Sequence, residues 1–151
     1  MDNDKFALLT GTSNVELAKR IGKILKVPVQ ETVRFFADGE IKAQIPKPLS
    51  KNEVFIIQST SPPANDNIME LLFIADAAKR GGAAYINAVV PYFGYSRQDR
   101  KDVSRVCISS SVIANLIYSV GVDRIVTVDI HSEQQQGFFP GPWDNVYSSY
   151  C

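Results

Sequence analysis

Residues 54–90 have the sequence VFIIQSTSPPANDNIMELLFIADAAKRGGAAYINAVV, and this segment decides the fold. It begins with one apolar run, Val54–Ile57, and ends with another, Tyr85–Val90. Between them lies a helical pattern that is long enough to connect one strand to the next. Short runs that are apolar throughout are typical of strands buried on both faces of a sheet. The segment therefore predicts a β-α-β unit with two parallel strands.

The helix of this unit has recognisable ends. It is predicted to begin near Asn65 or Asn67, because Asn67 followed three residues later by Glu70 resembles a capping box. Lys79-Arg80 in the last turn and Gly81-Gly82 just beyond it are typical of a helix C-terminus. Short polar connections are therefore expected on both sides of the helix.

The same alternation extends in both directions along the chain. Towards the N-terminus, the apolar run Phe6–Leu9 is followed by a polar turn with an N-cap, Thr10–Asn14, and by a helical pattern over Val15–Leu25. Towards the C-terminus, a long polar loop over 91–105 leads to another helix and then to the strand Arg124–Val128. The apolar face predicted for that helix comprises Val112, Ile113, Leu116, Ile117 and Val120.

Two further β-like runs, Val27–Phe36 and Ile41–Ile45, predict a hairpin excursion near residues 30–45 with Asp38-Gly39 as its turn. The fold class predicted for the whole chain is α/β, with a parallel sheet, helices on both faces and right-handed crossovers. In such sheets ligands bind outside the carboxyl ends of the strands. The polar loops at those ends are therefore where a functional site is expected.

Composition narrows the classes of function. The 151 residues suit one domain, and 16 Lys and Arg against 16 Asp and Glu give a net charge of +0. That balance argues against binding to a nucleic-acid backbone. The two cysteines show no metal-ligand spacing, so we expect neither a disulfide framework nor a zinc site. We expect the protein to be located in a reducing cytoplasm. No secretory signal and no membrane-spanning run are predicted.

Asp129 and His131 follow the last predicted strand. On an extended segment residues alternate in direction, so these two side chains could face the same crevice. A carboxylate and an imidazole there could hold a divalent metal or orient a phosphate. The alternative is a histidine with a purely structural hydrogen bond.

Arg97-Gln98-Asp99-Arg100 lies in the long loop after Val90. A guanidinium group can grip phosphate through two hydrogen bonds, and an amide such as that of Gln98 can both donate to and accept from an adenine edge. The alternative is a surface loop with weak internal ion pairs. The run indicates anion binding and does not identify the anion.

The hairpin segment Phe36–Glu40 offers an aromatic ring and two carboxylates, Asp38 and Glu40. The ring could stack on a base, and the carboxylates could accept hydrogen bonds from an exocyclic amine. The alternative is a turn with a core phenylalanine. The sequence contains no G-x-x-x-x-G-K-[ST] loop, no G-x-G-x-x-G motif and no G-x-S-x-G elbow, so the common nucleotide-binding loops and a hydrolase elbow are not predicted.

Taken together, several runs resemble the ribose-phosphate diphosphokinase family in order and spacing. The most specific is Pro91-Tyr-Phe-Gly-Tyr-Ser-Arg-Gln-Asp-Arg100, and the similarity extends from about Phe6 to Tyr147. The other runs are Phe36–Glu40, Asn65–Leu71, Val122–His131 and Gln136–Phe139. The resemblance implies a phosphoribosyltransferase-like fold and a single N-terminal ATP-binding domain over residues 1–151. The ribose 5-phosphate-binding domain of the family is expected to be absent from this chain.

The resemblance also implies a reaction. ATP, bound with Mg²⁺, would donate its diphosphoryl group to the 1-hydroxyl of ribose 5-phosphate, giving phosphoribosyl diphosphate and AMP. Arg97 and Gln98 match residues that hold ATP, and Asp99 and Arg100 would shape the loop. His131 matches a residue at the magnesium–triphosphate centre, as catalytic residue and metal ligand, with Asp129 supporting it.

Phe36, Asp38 and Glu40 match residues that, in the family, contact adenine in the site of a neighbouring subunit. A homo-oligomer is therefore implied, of the hexamer-of-dimers type.

One segment departs from the family pattern. Cys107–Ser111 stands where members commonly have Pro-Ile-Thr-Ala-Lys, which removes a proline and a lysine and puts one basic contact in doubt. The isolated chain is expected to bind nucleotide weakly and not to turn over. Two alternatives remain open at this point: a non-catalytic regulatory subunit of the same family, and a phosphoribosyltransferase. The latter should have an acidic Thr-Gly-Gly loop, which this sequence lacks.

Overall fold

The apolar runs of the sequence form one parallel sheet in the computed structural model, which describes residues 6–49 and 52–150. The eight strands are β1 (Phe6–Thr10), β2 (Val29–Glu31), β3 (Val33–Phe35), β4 (Ile41–Ala43), β5 (Glu53–Ile57), β6 (Tyr85–Val90), β7 (Arg124–Val128) and β8 (Trp143–Val146). Six of them form the sheet in the order β2-β1-β5-β6-β7-β8, with every neighbouring pair parallel. Strands β3 and β4 form a separate antiparallel pair.

Helices lie on both faces of this sheet, as predicted. The helices are α1 (Val15–Leu25), α2 (Ala64–Arg80) and α3 (Ser109–Ser119), with short 3₁₀ helices at Glu133–Phe138 and Ser148–Tyr150. Helix α1 packs on one face, and α2 and α3 pack on the other. The sheet order reverses at β1, so right-handed crossovers place α1 opposite the other two. Among the described residues no helix is both long and apolar enough to cross a membrane.

Alternation along β5 shows how the two faces are filled. Val54 and Ile56 point into the larger core beneath α2 and α3, whereas Ile57 belongs to the smaller cluster beneath α1. Helix α1 leaves part of its face open, and an apolar groove of about 320 Å³ remains there, lined in part by Phe6, Phe55 and Val89. The sheet is therefore covered more fully on one side than on the other.

The predicted run Val27–Phe36 is two strands rather than one. Its first part joins the main sheet as β2, and its second part joins the hairpin as β3, with Thr32 between them. The Thr32 amide and hydroxyl both donate to the carbonyl oxygen of Thr10, at 3.1 and 2.9 Å. This pair of bonds turns the chain out of the sheet. The hairpin itself is confirmed, and Gly39 at its tip has φ +91°, which a residue with a side chain rarely adopts.

The capping box predicted for α2 is wrong. The helix begins at Ala64 after Pro63, and no side chain caps it. Asn67 and Glu70 are buried and bind elsewhere, since Asn67 donates from Nδ2 to the Ser61 carbonyl at 2.7 Å. Tertiary partners therefore override the local capping pattern.

Two elements near the C-terminus also differ from prediction. Strand β8 extends the sheet parallel to β7 and was not expected, because Asp144 and Asn145 interrupt its apolar pattern. In α3 the predicted apolar face is only partly buried, with Val112 and Leu116 exposed. Residues 1–5 and Cys151, which bear on the expectations about targeting and cysteine pairing, lie outside the described residues.

The N-cap of α1 gives a first testable prediction. Asn14 accepts a hydrogen bond from the Leu17 amide through Oδ1 at 3.1 Å. Asn14→Ala is expected to lower the free energy of unfolding by about 1 kcal/mol, because an amide of the first turn loses its partner. Asn14→Ser keeps a capping oxygen and should retain most of the stability in urea denaturation. Equal losses for the two variants would contradict a capping role.

Candidate functional site

The sheet order places the crevice typical of α/β ligand sites between β1 and β5, and that crevice is filled by the protein itself. Gln58 and Glu70 are 0% and 1% exposed there. Glu70 accepts from the Thr12 amide at 2.7 Å, from the Thr12 hydroxyl at 2.6 Å and from Gln58 Nε2 at 2.9 Å. Ser13 donates its hydroxyl to Gln58 Oε1 at 2.9 Å. The backbone amide of Thr12, in the loop after β1, is therefore already hydrogen-bonded to the Glu70 carboxylate.

Open space lies instead beyond the ends of β6 and β7. A cleft of about 190 Å³, here called the β6–β7 cleft, is lined by Arg97, Asp129 and His131 together with Tyr92, Phe93, Ser96, Val128 and Ile130. The loop after β6 supplies Arg97, and the loop after β7 supplies the other two polar side chains. The convergence expected from the sequence is thus observed, because Arg97 and His131 share one cavity.

A second cleft adjoins the first at Arg97. This Arg97–Cys107 cleft measures about 600 Å³ and is lined by Arg97, Gln98, Arg100, Asp102, Val106 and Cys107. The lining contains two guanidinium groups and one carboxylate, so the local charge favours an anion. An elongated anionic ligand could contact Arg97 from either cleft.

The loop that carries Arg97 is fixed against the end of β5. The Gly94 amide donates to the Thr60 hydroxyl at 2.6 Å, and the Thr60 amide donates to the Tyr92 carbonyl at 2.9 Å. Tyr95, two residues before Arg97, has φ +64°, in the left-handed region that non-glycine residues seldom occupy. Such backbone strain persists only where the surroundings impose it, and it clusters at functional sites.

Gln135 also holds the loop that carries Arg97. Sequence analysis did not identify this residue. The side chain is 0% exposed. Its Oε1 accepts from the hydroxyls of Ser96 and Ser110, at 3.0 and 2.5 Å, and its Nε2 donates to the Ser96 carbonyl at 2.9 Å. Gln135 therefore joins the neighbour of Arg97 to the first turn of α3. In the sequence it stands within a run of three glutamines, which gives no indication of burial.

Asp129 lies at the mouth of the β6–β7 cleft with φ +46°. This conformation breaks the extended alternation on which the sequence argument relied, although Asp129 and His131 still line the same cleft. The hydroxyl and the amide of Ser148 donate to the Asp129 carboxylate, and these bonds lower its pKa below the ordinary value. Its amide donates to the Val146 carbonyl at 3.0 Å, so β8 positions this loop.

The suitability of this pair for a metal can be judged from the donors present. Among residues 6–49 and 52–150 no group of three or more His, Cys, Asp or Glu side chains is arranged to hold a metal ion. Asp129 and His131 offer one carboxylate and one imidazole. Mg²⁺ commonly binds through one or two carboxylates and keeps waters or substrate phosphates as its other ligands. The Asp129 carboxylate suits a magnesium ion of this kind, whereas an imidazole is more typical of zinc, copper, iron or nickel sites.

The structure does not bring the predicted hairpin residues to either cleft. Phe36, Asp38 and Glu40 are exposed on the β3–β4 turn, where the Glu40 amide donates to Asp38 Oδ1 at 3.0 Å. Phe36 is 53% exposed, so it is not the core phenylalanine of the alternative interpretation. These three side chains line neither cleft of their own chain.

The sheet order, the buried switch point and the clefts at the carboxyl ends of β6 and β7 define an α/β domain with its open site at the strand ends. Comparison with known proteins identifies the family. Residues 6–121 match the family described as the N-terminal domain of ribose phosphate pyrophosphokinase. The chain belongs to this family.

Similar proteins are named ribose-phosphate pyrophosphokinase. The protein of Campylobacter jejuni is 48% identical over 145 residues, which is 95% of this chain and 47% of that protein. That of Pasteurella multocida is 52% identical over 144 residues, covering 94% and 46% of the two chains. The chain thus spans about half the length of the curated relatives it matches.

A solved structure supports the fold directly. The phosphoribosylpyrophosphate synthetase from Mycobacterium smegmatis aligns with a TM-score of 0.92 at 41% identity. The alignment covers 95% of this chain and 49% of that one. The predicted fold class is therefore confirmed.

Proposed function

We propose that these residues form the ATP-binding domain of a ribose-phosphate diphosphokinase. In the proposed reaction the 1-hydroxyl oxygen of ribose 5-phosphate attacks the β-phosphorus of ATP and loses its proton. The bond from that phosphorus to the oxygen bridging to the α-phosphate breaks, and AMP leaves. The observation that carries the proposal is the shared lining of the β6–β7 cleft by Arg97 and His131 in a chain of this family.

The demands of diphosphoryl transfer suit such a cleft. Little covalent chemistry is required of the protein, and positioning with charge neutralisation does most of the work. Arg97 would bind phosphate oxygens through its guanidinium group, and Gln98 would bind another part of ATP. Asp129 and His131 would hold Mg²⁺, which neutralises phosphate charge when bound. His131 would therefore lie next to the reacting phosphates. Ribose 5-phosphate would be bound by a second domain.

A homo-oligomer completes the proposed site. The exposed ring of Phe36 and the carboxylates of Asp38 and Glu40 lie away from the clefts of their own chain. An exposed aromatic ring beside two carboxylates suits stacking on adenine and acceptance from its exocyclic amine. We assign this hairpin to the ATP site of a neighbouring subunit.

The assignment of Arg97 is tested in the full-length protein. Arg97→Ala is expected to raise the KM for ATP by about 10- to 100-fold, because hydrogen bonds to charged groups are among the strongest polar contacts. Release of AMP from ATP, with ribose 5-phosphate and Mg²⁺ present, gives the rate. Arg20→Ala, on the exposed side of α1, is the matched control and should retain the unmutated KM.

Two results would contradict the proposal in different ways. An unchanged KM in Arg97→Ala would remove the assignment of this residue. A full-length protein that releases no AMP under these conditions would support the alternative of a non-catalytic subunit.

A further inference from the structure

We propose that Ser109 is a positioning residue that fixes the amide of Gln98, so that Gln98 presents its NH₂ group to the nucleotide as a hydrogen-bond donor. This inference rests on the proposed function, because it concerns the same ligand. It assigns a role to a hydroxyl within the segment Cys107–Ser111.

The backbone of Gln98 is held on both sides. Its amide donates to the Tyr95 carbonyl at 2.9 Å, and its carbonyl accepts from the Ser110 amide at 3.2 Å. The side chain is held as well, because Ser109 at the start of α3 donates its hydroxyl to Gln98 Oε1 at 2.6 Å. The side chain of Gln98 is therefore oriented by a hydrogen bond from the first residue of α3.

Cys107 completes a chain of hydrogen bonds that ends at Gln98. Its Sγ lies 3.0 Å from the Ser109 hydroxyl oxygen. A hydroxyl has one proton to donate, and Ser109 gives that proton to Gln98, so the thiol of Cys107 must be the donor of the first bond. The hydrogen bonds run from Cys107 to Ser109 to Gln98. Within the described part of the chain, Gln98 Nε2 has no acceptor, and its two protons are left for a ligand.

The consequence concerns what the site can recognise. A free amide can rotate to offer either its carbonyl or its NH₂ group, and sequence analysis credited Gln98 with both. With Oε1 turned to Ser109, the Nε2 group is the part of the Gln98 amide that has no partner among the described residues, and it suits an acceptor on the nucleotide: a ring nitrogen or an oxygen of the ribose or phosphates. Gln98 thus lies in the Arg97–Cys107 cleft as a donor beside the guanidinium of Arg97.

Ser109→Ala in the full-length enzyme tests this role. The KM for ATP is expected to rise about 5- to 10-fold, the effect of losing one well-made hydrogen bond, while kcat changes by less than about twofold. Ser109→Thr keeps the hydroxyl and should restore the unmutated KM. Ser119→Ala, at the other end of α3, removes an exposed hydroxyl that bonds only to Leu116 and is the matched control.

A double-mutant cycle separates positioning from general packing. If Ser109 acts through Gln98, Ser109→Ala should have no further effect on KM in a Gln98→Ala background. Inhibition by inorganic tripolyphosphate locates the acceptor. Weaker inhibition in Ser109→Ala places it on the phosphates, and unchanged inhibition together with a raised KM for ATP places it on the nucleoside.

Three results would overturn the inference: an unchanged KM in Ser109→Ala, an equal loss in Ser109→Thr, or additive losses in the cycle. An unmutated enzyme that releases no AMP would instead contradict the proposed function. The two failures are therefore distinguishable.

Discussion

Glu70→Ala is expected to lower the free energy of unfolding by about 3–5 kcal/mol, because it strips a buried carboxylate from three donors at once. Those donors are the amide and hydroxyl of Thr12 and the Nε2 group of Gln58. All three are uncharged, and the truncated side chain would leave them without this acceptor. The crevice between β1 and β5 would lose the group that closes it.

The comparison variants make this result specific. Glu70→Gln keeps the shape but replaces one acceptor oxygen with a donor, so a smaller loss of about 1–3 kcal/mol is expected. Asp66→Ala removes an exposed carboxylate from the same helix and should cost less than about 1 kcal/mol. Urea denaturation measures all three variants. A loss below about 1 kcal/mol in Glu70→Ala would show that the network contributes little to stability.

Gly94→Ala is expected to impair stability and nucleotide binding together. A Cβ atom at this position would lie 2.6 Å from the Thr60 backbone carbonyl and 3.3 Å from its hydroxyl. Backbone cannot yield cheaply, so the loop that carries Arg97 and Gln98 must move away from the end of β5. We expect a loss of about 2–4 kcal/mol in unfolding free energy and a rise of more than about 10-fold in the KM for ATP.

Gly137→Ala provides the control, because nothing lies within 4 Å of a Cβ atom built there. It should unfold and bind ATP much as the unmutated protein does. If Gly94→Ala bound ATP normally while being destabilised, the close approach of Gly94 to Thr60 would matter for packing alone. Thermal unfolding and KM values for both variants decide between these outcomes.

Sequence periodicity was sufficient for elements whose partners impose no special geometry. Helix α1 and strands β6 and β7 have the predicted bounds, because apolar spacing determines which side chains are buried. Where side chains bind distant residues, the local pattern failed. Asn67 and Glu70 have capping-box spacing, yet their partners are Ser61, Thr12 and Gln58.

The candidate site shows the same division. The approach of Arg97 to His131 follows from parallel strands, whose carboxyl ends meet at one edge of the sheet. The contacts of Gln135 with Ser96, 39 residues away, and with Ser110, 25 residues away, have no local pattern. Likewise, no spacing rule predicts that the Ser109 hydroxyl donates to the side-chain carbonyl of Gln98. A single sequence indicates which loops converge, and long-range polar contacts decide how each side chain is presented.

The position of β1 within the sheet has a consequence for synthesis on the ribosome. Its register pairs Thr10 with Ile57 of β5, 47 residues later in the chain. At about 5–20 residues per second, that partner follows about 2–10 seconds behind. During this interval one edge of a nascent apolar strand remains unsatisfied. A chaperone that covers this segment before β5 emerges would protect it from pairing with strands of other nascent chains.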